Sequence, residues 1–381
     1  MITTEHRYIK DFQFDVKSYR DFKHKYEPSN ICEMPIKWKE AKNFYVFDDK
    51  GNRWIDMTSG IFVTNAGHAN PYINDAMKEQ IDSNLVFAYQ YNTDIRNKFI
   101  EKLLEISPSH FDKVTLLNSG SEATDAAYRL IKLWGKKNKR KYIVVFTGNY
   151  HGRVLGSELI GGTSTSTEWS NIKDSEIWFL PFPKKGDKLK LKDLPPLNKI
   201  ASFFLETYQG WGAWMYPKEY IDKIYKICKE NKILFCFDEV QSGFYRMGEL
   251  YGYMTYGDYK PDIVTLGKGL TSSLPLSAVL STKEIIDLEP SANLSSTHAG
   301  NAVCCAAGLA NLEYLTDDLF QTNLKKKVKL FEKLNKELEQ EEGVEVVNVK
   351  GMVSAIIVKD SDMGNYVAEN CLKNGVLTVW T

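Results

Sequence analysis

The chain has 381 residues, is 43% hydrophobic, and balances 49 Lys and Arg against 49 Asp and Glu, so no global field draws nucleic acid or an anionic membrane. Its length exceeds what one growing core usually spans, which predicts a large domain with a smaller companion. No run approaches the roughly 18 apolar residues of a membrane span, and the start, MITTEHRYIKDFQFDVK, has no apolar signal core.

Residues 1 to about 58 open with a polar, helix-like stretch and continue into FYVFDDKGNRWIDM, which predicts two short strands around the turn Asp48 to Asn52. From 59 to 305, apolar runs alternate with helical patterns: VTLLN at 114–118, YIVVF at 142–146, EIWFL at 176–180, IASFFLE at 200–206, ILFCFDE at 233–239 and IVTLG at 263–267. That alternation predicts an α/β fold, a mostly parallel sheet with helices on both faces. LSAVLS at 276–281 follows too closely for a helical crossover, so it runs antiparallel to its neighbour or sits at an edge. After about 305 the pattern is helical, with Leu324, Val328, Phe331, Leu334 and Leu338 on one packing face. VEVVNVKGMVSAIIVK then returns to strands, and residues 306–381 are expected to join 1–58 in one small α+β domain beside the large domain of 59–305.

Two other features read plainly. KKNKRK at 136–141 is expected as a solvated loop and not a nucleic-acid patch, since nothing aromatic interleaves it. Cys32, Cys228, Cys236, Cys304, Cys305 and Cys371 show neither CxxC nor Cys/His metal spacing, so they are expected as buried small residues in a reducing cytoplasm, with no metal site.

Open α/β sheets carry their chemistry at the carboxyl ends of their strands. ILFCFDE reaches such an end at Asp238, and IVTLG leads into Lys268, thirty positions later. A Lys and an Asp at neighbouring strand ends suit pyridoxal phosphate, which needs an amine for a Schiff base and a carboxylate to keep its pyridine nitrogen protonated. A desolvated lysine, or one near positive charge, has a lowered pKa and is nucleophilic at neutral pH. Taken singly, the two residues would read as a solvated loop lysine and a capping aspartate. After VTLLN, Ser119, Gly120 and Ser121 open a helix whose free N–H groups and dipole suit an anion; an ordinary Ser N-cap is the alternative. After YIVVF, Tyr150 can stack on a flat ring, or be a buried structural tyrosine. His151 reads as a structural hydrogen-bonding residue, because Lys268 is itself free to move protons. Arg153 can grip a carboxylate through two parallel hydrogen bonds, or form a surface ion pair.

The stretch FCFDEVQSGFYRMGELYGYMTYGDYKPDIVTLGKGLTSSLPLSAV, 235–279, resembles the signature of class III aminotransferases, pyridoxal-phosphate enzymes of fold type I. It combines two apolar residues, Asp-Glu, a Gly, a spacer, Asp, two apolar residues and Gly-Lys. The resemblance runs from about residue 35 to the C-terminus. It implies that Lys268 carries the cofactor, that Asp238 pairs with the pyridine nitrogen and that Gln241 bonds the phenolic oxygen. SGSEA similarly implies phosphate contacts from Gly120 and Ser121, next to Ser119. YHGR implies Tyr150 on the ring and Arg153 on a substrate carboxylate, as in members acting on 4-aminobutyrate, acetylornithine or ornithine.

FFLETYQGWGAW, 203–214, resembles the family's Glu-Pro-x-Gln-Gly segment, implying Glu206 near the phenolic side. Thr207 or Tyr208 replaces the usual Pro. Trp211 stands where many relatives have a second Glu, which in them pairs with a C-terminal Arg. THAGN implies that Thr297 reaches the phosphate bound to a neighbouring subunit, hence a homodimer with shared sites; capping of the next helix is the alternative. SGIFVTNAGHANP, 59–71, resembles the substrate-lining entry segment, with Ile61 where ornithine-type members have Tyr, which leans toward a 4-aminobutyrate-like or other simple donor. The chain ends at GVLTVWT, where relatives continue through a last strand and helix, so either it is cut short or its small domain closes differently.

The activity this implies is amino transfer from a carboxylate-bearing, ω-type amino acid to an α-keto acid such as 2-oxoglutarate or pyruvate. An aminomutase or decarboxylating relative is the alternative among enzymes. A catalytically weak protein that keeps the cofactor pocket is the alternative outside them.

Overall fold

The computed structural model describes residues 34–162, 171–172 and 174–379; the helix-like start, Cys32 and the last two residues lie outside that range. Near its beginning the chain turns on one buried carboxylate. Asp48 accepts hydrogen bonds from Lys50 N (3.0 Å), Asn52 N (2.8 Å), Asn52 Nδ2 (2.8 Å) and Trp54 Nε1 (3.0 Å). That closes the loop between β2 (Tyr45–Asp48) and β3 (Arg53–Asp56), which pair antiparallel. β1 (Trp38–Lys42) adds to β2, and β15 (Val376–Leu377) from the far end of the chain pairs parallel with β3.

The main sheet contains β4 (Lys113–Leu117), β5 (Tyr142–Phe146), β6 (Ile177–Leu180), β7 (Ile200–Glu206), β10 (Leu234–Asp238), β11 (Ile263–Leu266) and β12 (Ser277–Ser281). Their spatial order is β4-β12-β11-β10-β7-β5-β6. β12 is antiparallel to β11 and to β4, so it lies inside the sheet and not at its edge, while the other pairs are parallel. Just past β7, β8 (Tyr208–Gln209) and β9 (Trp214–Met215) form a small hairpin.

Side chains alternate across this sheet with period two. In β10, Phe235 and Phe237 enter one core layer and Leu234 and Cys236 the other. Ile221 and Ile224 of the helix Lys218–Asn231 cover the first layer, and Ala127, Leu130 and Ile131 of the helix Gly120–Lys137 cover the second. Burial on both faces explains why these strands read as unbroken apolar runs. The same parity aims Asp238 at the face roofed by the helix Gly120–Lys137. Arg140, in the basic run, donates to the carbonyls of Leu197 (3.1 Å), Ile200 (2.9 Å) and Asn231 (2.7 Å), fastening that helix's exit to the sheet.

The helix Asp318–Glu337 departs from expectation by one position. Leu334 is 50% exposed and Asn335 is buried, its Nδ2 donating to Phe331 O (2.9 Å). The inward stripe is therefore 324, 328, 331, 335, 338, which is the 4-3-4-3 rhythm of a helix. β13 (Val344–Lys350) and β14 (Val353–Val358) follow as a hairpin. Its turn glycine, Gly351, has φ +62°, and a Cβ there would come within 2.2 Å of the Met247 carbonyl carbon. Met352 N donates to Arg246 O (2.8 Å) across this contact, tying the late hairpin to the loop after β10.

Glu239, directly after β10, is fully buried. It accepts hydrogen bonds from Ser242 Oγ (2.8 Å), Gly252 N (2.7 Å), Tyr253 N (2.8 Å) and Thr207 Oγ1, and burial pushes its carboxyl up to about 7 against these bonds. Glu239→Gln sets an NH2 group against this ring of donors, and each unmatched buried donor costs about 1–3 kcal/mol. Thermal unfolding should shift down by several degrees; an unchanged midpoint would refute the anchoring role.

Candidate active site

The carboxyl ends of β7, β10 and β11 lie side by side. Register sets Glu206 beside Asp238 and Asp238 beside Thr265, so three polar side chains share one row across apolar strands. Asp238 is held from three directions. Its Oδ1 accepts from Thr265 Oγ1 (2.9 Å) and Val240 N (3.0 Å), and its Oδ2 lies 2.8 Å from His151 Nδ1. The hydrogen-bonding role expected of His151 thus has a definite partner. Thr265 was not singled out in the sequence, although it is the one polar residue in the run Ile263–Leu266.

Lys268 emerges two residues beyond β11 with a left-handed φ of +45°. Burial lowers its pKa, and the guanidinium of Arg246 adds to that effect, whereas Asp238 and Glu206 oppose it. The Lys268 Nζ and the Arg246 guanidinium stand 6.0 Å and 5.9 Å from the centroid of the Phe62 ring. Arg246 is buried and bonds Asn65 Oδ1 and the carbonyl of Met352 (3.4 Å), with no carboxylate in ion-pair range among the described residues. Phe62, Asn65 and Arg246 fall within segments that resemble the family's but were not candidates there, since Phe62 and Arg246 come near Lys268, and Asn65 meets Arg246, only through folding.

Glu206 is buried, and desolvation raises its pKa well above the usual carboxyl value, with the charge on Asp238 adding. Tyr150 N donates to its Oε2 (2.9 Å). The Tyr150 ring packs edge-on against Trp211, centroids 6.0 Å apart at 87°.

Gly120, Ser121, Tyr150, Glu206, Asp238, Gln241 and Lys268 all line one cleft. The remaining four sequence candidates do not. Ser119 is spent on a capping box with Glu122, its Oγ accepting from Glu122 N (3.2 Å) while Glu122 Oε2 accepts from Ser119 N (2.7 Å). That leaves the N–H groups of Gly120 and Ser121 as first-turn donors with no partner among the described residues. Arg153 sits exposed at the rim, its N donating to Ser121 Oγ (3.2 Å), and its guanidinium has no ion pair among the described residues. Ile61 is 52% exposed in a left-handed turn, Ser59–Phe62. Thr297 is exposed, and the helix Ala302–Thr316 is capped instead by Asn301, whose Oδ1 accepts from Val303 N (3.0 Å).

The cleft's composition fits pyridoxal phosphate. It offers an amine on Lys268, a fixed carboxylate on Asp238, an aromatic ring on Tyr150 and a helix start whose capping box leaves the N–H groups of Gly120 and Ser121 open. Gln241 Oε1 and Tyr208 OH are buried in the cleft wall with no hydrogen-bond partner among the described residues, which leaves polar capacity for a ligand. The backbone approaches closely where the helix begins. A Cβ on Gly120 would come within 2.6 Å of Val240, and one on Gly152, at φ +120°, within 2.3 Å of Ser121 Oγ.

A mainly parallel sheet flanked by helices, with Lys and Asp at adjacent strand ends below such a helix start, defines a fold type I pyridoxal-phosphate architecture. The chain belongs to the class III aminotransferases, whose family model matches residues 26–381. It is 32% identical to the acetylornithine aminotransferase of Aquifex aeolicus, over 74% of this chain and 74% of that protein. It is 31% identical to the ornithine aminotransferase of Plasmodium yoelii yoelii, over 97% of this chain and 90% of that protein. In fold it is similar to the taurine:2-oxoglutarate aminotransferase of Bifidobacterium kashiwanohense, solved in complex with PLP and glutamate, with a TM-score of 0.83 and 22% identity over 95% of this chain and 89% of that one. No helix among the described residues is long and apolar enough to cross a membrane.

The Glu206 carboxyl has a pH signature. Its folded pKa lies above the unfolded value, so the folded protein holds a proton that the unfolded chain releases, and stability falls as pH rises through that window. Glu206→Gln keeps an oxygen for Tyr150 N and removes the titration. In the cofactor-free protein it should raise the unfolding midpoint at pH 8 by a few degrees and leave it unchanged near pH 4; an equal effect at both would exclude a raised pKa.

Proposed function

We propose that this aminotransferase moves an amino group from a carboxylate-bearing, ω-type amino acid to an α-keto acid such as 2-oxoglutarate or pyruvate. The observation that carries the reading is Lys268, a desolvated amine flanked by Asp238 and Glu206 at the ends of adjacent strands. Relatives named for ornithine and acetylornithine, and a fold neighbour named for taurine, support an ω-amino donor.

Bound pyridoxal phosphate supplies an electrophilic carbon for the amine and a ring that takes up the negative charge left when the neighbouring proton departs. Lys268 Nζ holds the cofactor and, once released by the incoming amine, takes that proton and returns one. Asp238, fixed by Thr265, Val240 N and His151, keeps the ring nitrogen protonated. Gly120 and Ser121 N–H groups, with Ser119 behind them, take the phosphate; Tyr150 covers the ring; Gln241 and Glu206 serve its phenolic side. Arg153 orients the donor's carboxylate, and Ile61 lines the entrance.

Thr297 is exposed, as a residue reaching a neighbouring subunit's phosphate must be, and we read the enzyme as a homodimer with shared sites. The expected small domain of 1–58 with 306–381, beside the large one of 59–305, is supported over its described residues by β3 pairing with β15. The five described cysteines are free thiols, in keeping with a cytoplasmic setting.

Pyridoxal phosphate added to the purified protein should produce a visible absorption band that Lys268→Ala abolishes. ω-Amino acids should then transaminate only with a keto acid present. Carbon dioxide release or an intramolecular amine shift without one would instead make the protein a decarboxylase or aminomutase, and a protein that stays colourless would be a binding protein.

Arg153→Met should raise KM for carboxylate-bearing donors by about 10- to 100-fold, matching one lost charge-assisted bidentate contact. Amines without a carboxylate should be unaffected. Equal losses for both would remove Arg153 from the substrate site.

A further inference from the structure

Trp211 is an indole that the fold holds against Tyr150, one of the residues lining the cleft. It is 42% exposed and sits at the tip of the β8–β9 hairpin, beside Gly210 and Gly212. The tip is well fixed. Gln209 Nε2 donates to Thr147 O (2.9 Å), Asn348 Nδ2 donates to Gly212 O (2.7 Å), and Tyr208 and Gln209 pair with Met215 and Trp214. Gly212, at φ +86°, lies so close to Trp214 that a Cβ there would come within 2.7 Å of its Nε1.

At Gly210, a Cβ would stand 3.2 Å from both Glu206 Oε1 and Gln241 Oε1, so the chain runs bare against the inner end of the cleft. Trp211 is therefore the first side chain of the hairpin tip that can flank a bound molecule. Its ring stands edge-on to Tyr150, which lines the cleft. The two rings form a right-angled apolar corner beside the polar inner wall of Glu206, Asp238 and Lys268. An apolar or aromatic group entering that corner leaves water and gains ring contacts. A second carboxylate placed there would give up hydration and meet only the negative faces of the two rings.

We infer that Trp211 is the specificity-determining wall of the substrate's side-chain subsite, and that this enzyme prefers amino donors carrying a flat apolar or aromatic group to donors carrying a second carboxylate. The inference rests on the proposed transaminase reading and names the substrate class for that same site.

Calorimetric titration of the cofactor-loaded protein with unreactive carboxylates tests it: 3-phenylpropionate, propionate and glutarate against wild type, Trp211→Ala and Trp211→Phe. Wild type should bind 3-phenylpropionate at least about ten-fold more tightly than the other two, a difference of about 1.4 kcal/mol. Trp211→Ala should erase that preference while leaving propionate binding within about two-fold, and Trp211→Phe should retain most of it. Equal affinities for the three ligands in wild type, or an equal loss for all three in Trp211→Ala, would overturn the inference. The heat signal does not depend on turnover, so a protein that takes up pyridoxal phosphate but fails to transaminate would count against the transaminase reading and leave the Trp211 comparison readable.

Discussion

The site depends on holding a carboxyl group and an amine out of water side by side at adjacent strand ends. Asp238 is a rigid acceptor there because three donors from three segments converge on it: Thr265 from the next strand, Val240 N from its own loop and His151 from the loop after β5. Lys268 is brought toward it by a left-handed turn and is desolvated by the same walls. A buried charge without such partners would neutralise or move to solvent. The sheet is accordingly more than a scaffold, since its register supplies both the partner Thr265 and the neighbouring acid Glu206.

Around that pair the fold distributes opposing influences on one amine. Asp238 and Glu206 favour its charged form, while burial and Arg246 favour the neutral one. Burial also keeps Glu206 a weaker acid than usual, which limits how much negative charge faces Lys268. Arg246, which like Lys268 stands beside the Phe62 ring, is tied through Asn65 and Met352 to the segment after β3 and to the late β13–β14 hairpin. Segments distant in the chain thus bear on the nucleophile's protonation. The outer end of the cleft differs in character, with two aromatic rings meeting at right angles and a cationic rim residue without an ion pair among the described residues.

Much of this was legible in the chain. Apolar runs mark their own strands because each is buried on both faces, and each strand-end residue announces itself by breaking such a run, as Asp238 and Glu206 do. LSAVLS could be recognised as antiparallel from its short connection, yet its interior position could not, because β4, its other neighbour, lies about 160 residues earlier. In the helix Asp318–Glu337, leucine alone was a poor guide. Leu334 faces outward and Asn335 inward, because the helical rhythm set by Leu324 and Phe331 outranks the hydrophobicity of one residue.

Residue chemistry and spacing pointed to the α/β class, to Lys268 and Asp238 at strand ends and to the helix start at Gly120 as a candidate anion site, and the resemblance of one long stretch pointed to the family. These are local properties, each written within a few residues of a strand end. The tertiary structure alone decided that Ser119 is consumed as a cap, that Thr265 and His151 are what hold Asp238, that Phe62 and Arg246 flank Lys268, and that Trp211 turns its ring toward Tyr150. Each of those facts is a meeting of segments far apart in sequence, set by strand order and loop geometry, which no local pattern of residues encodes.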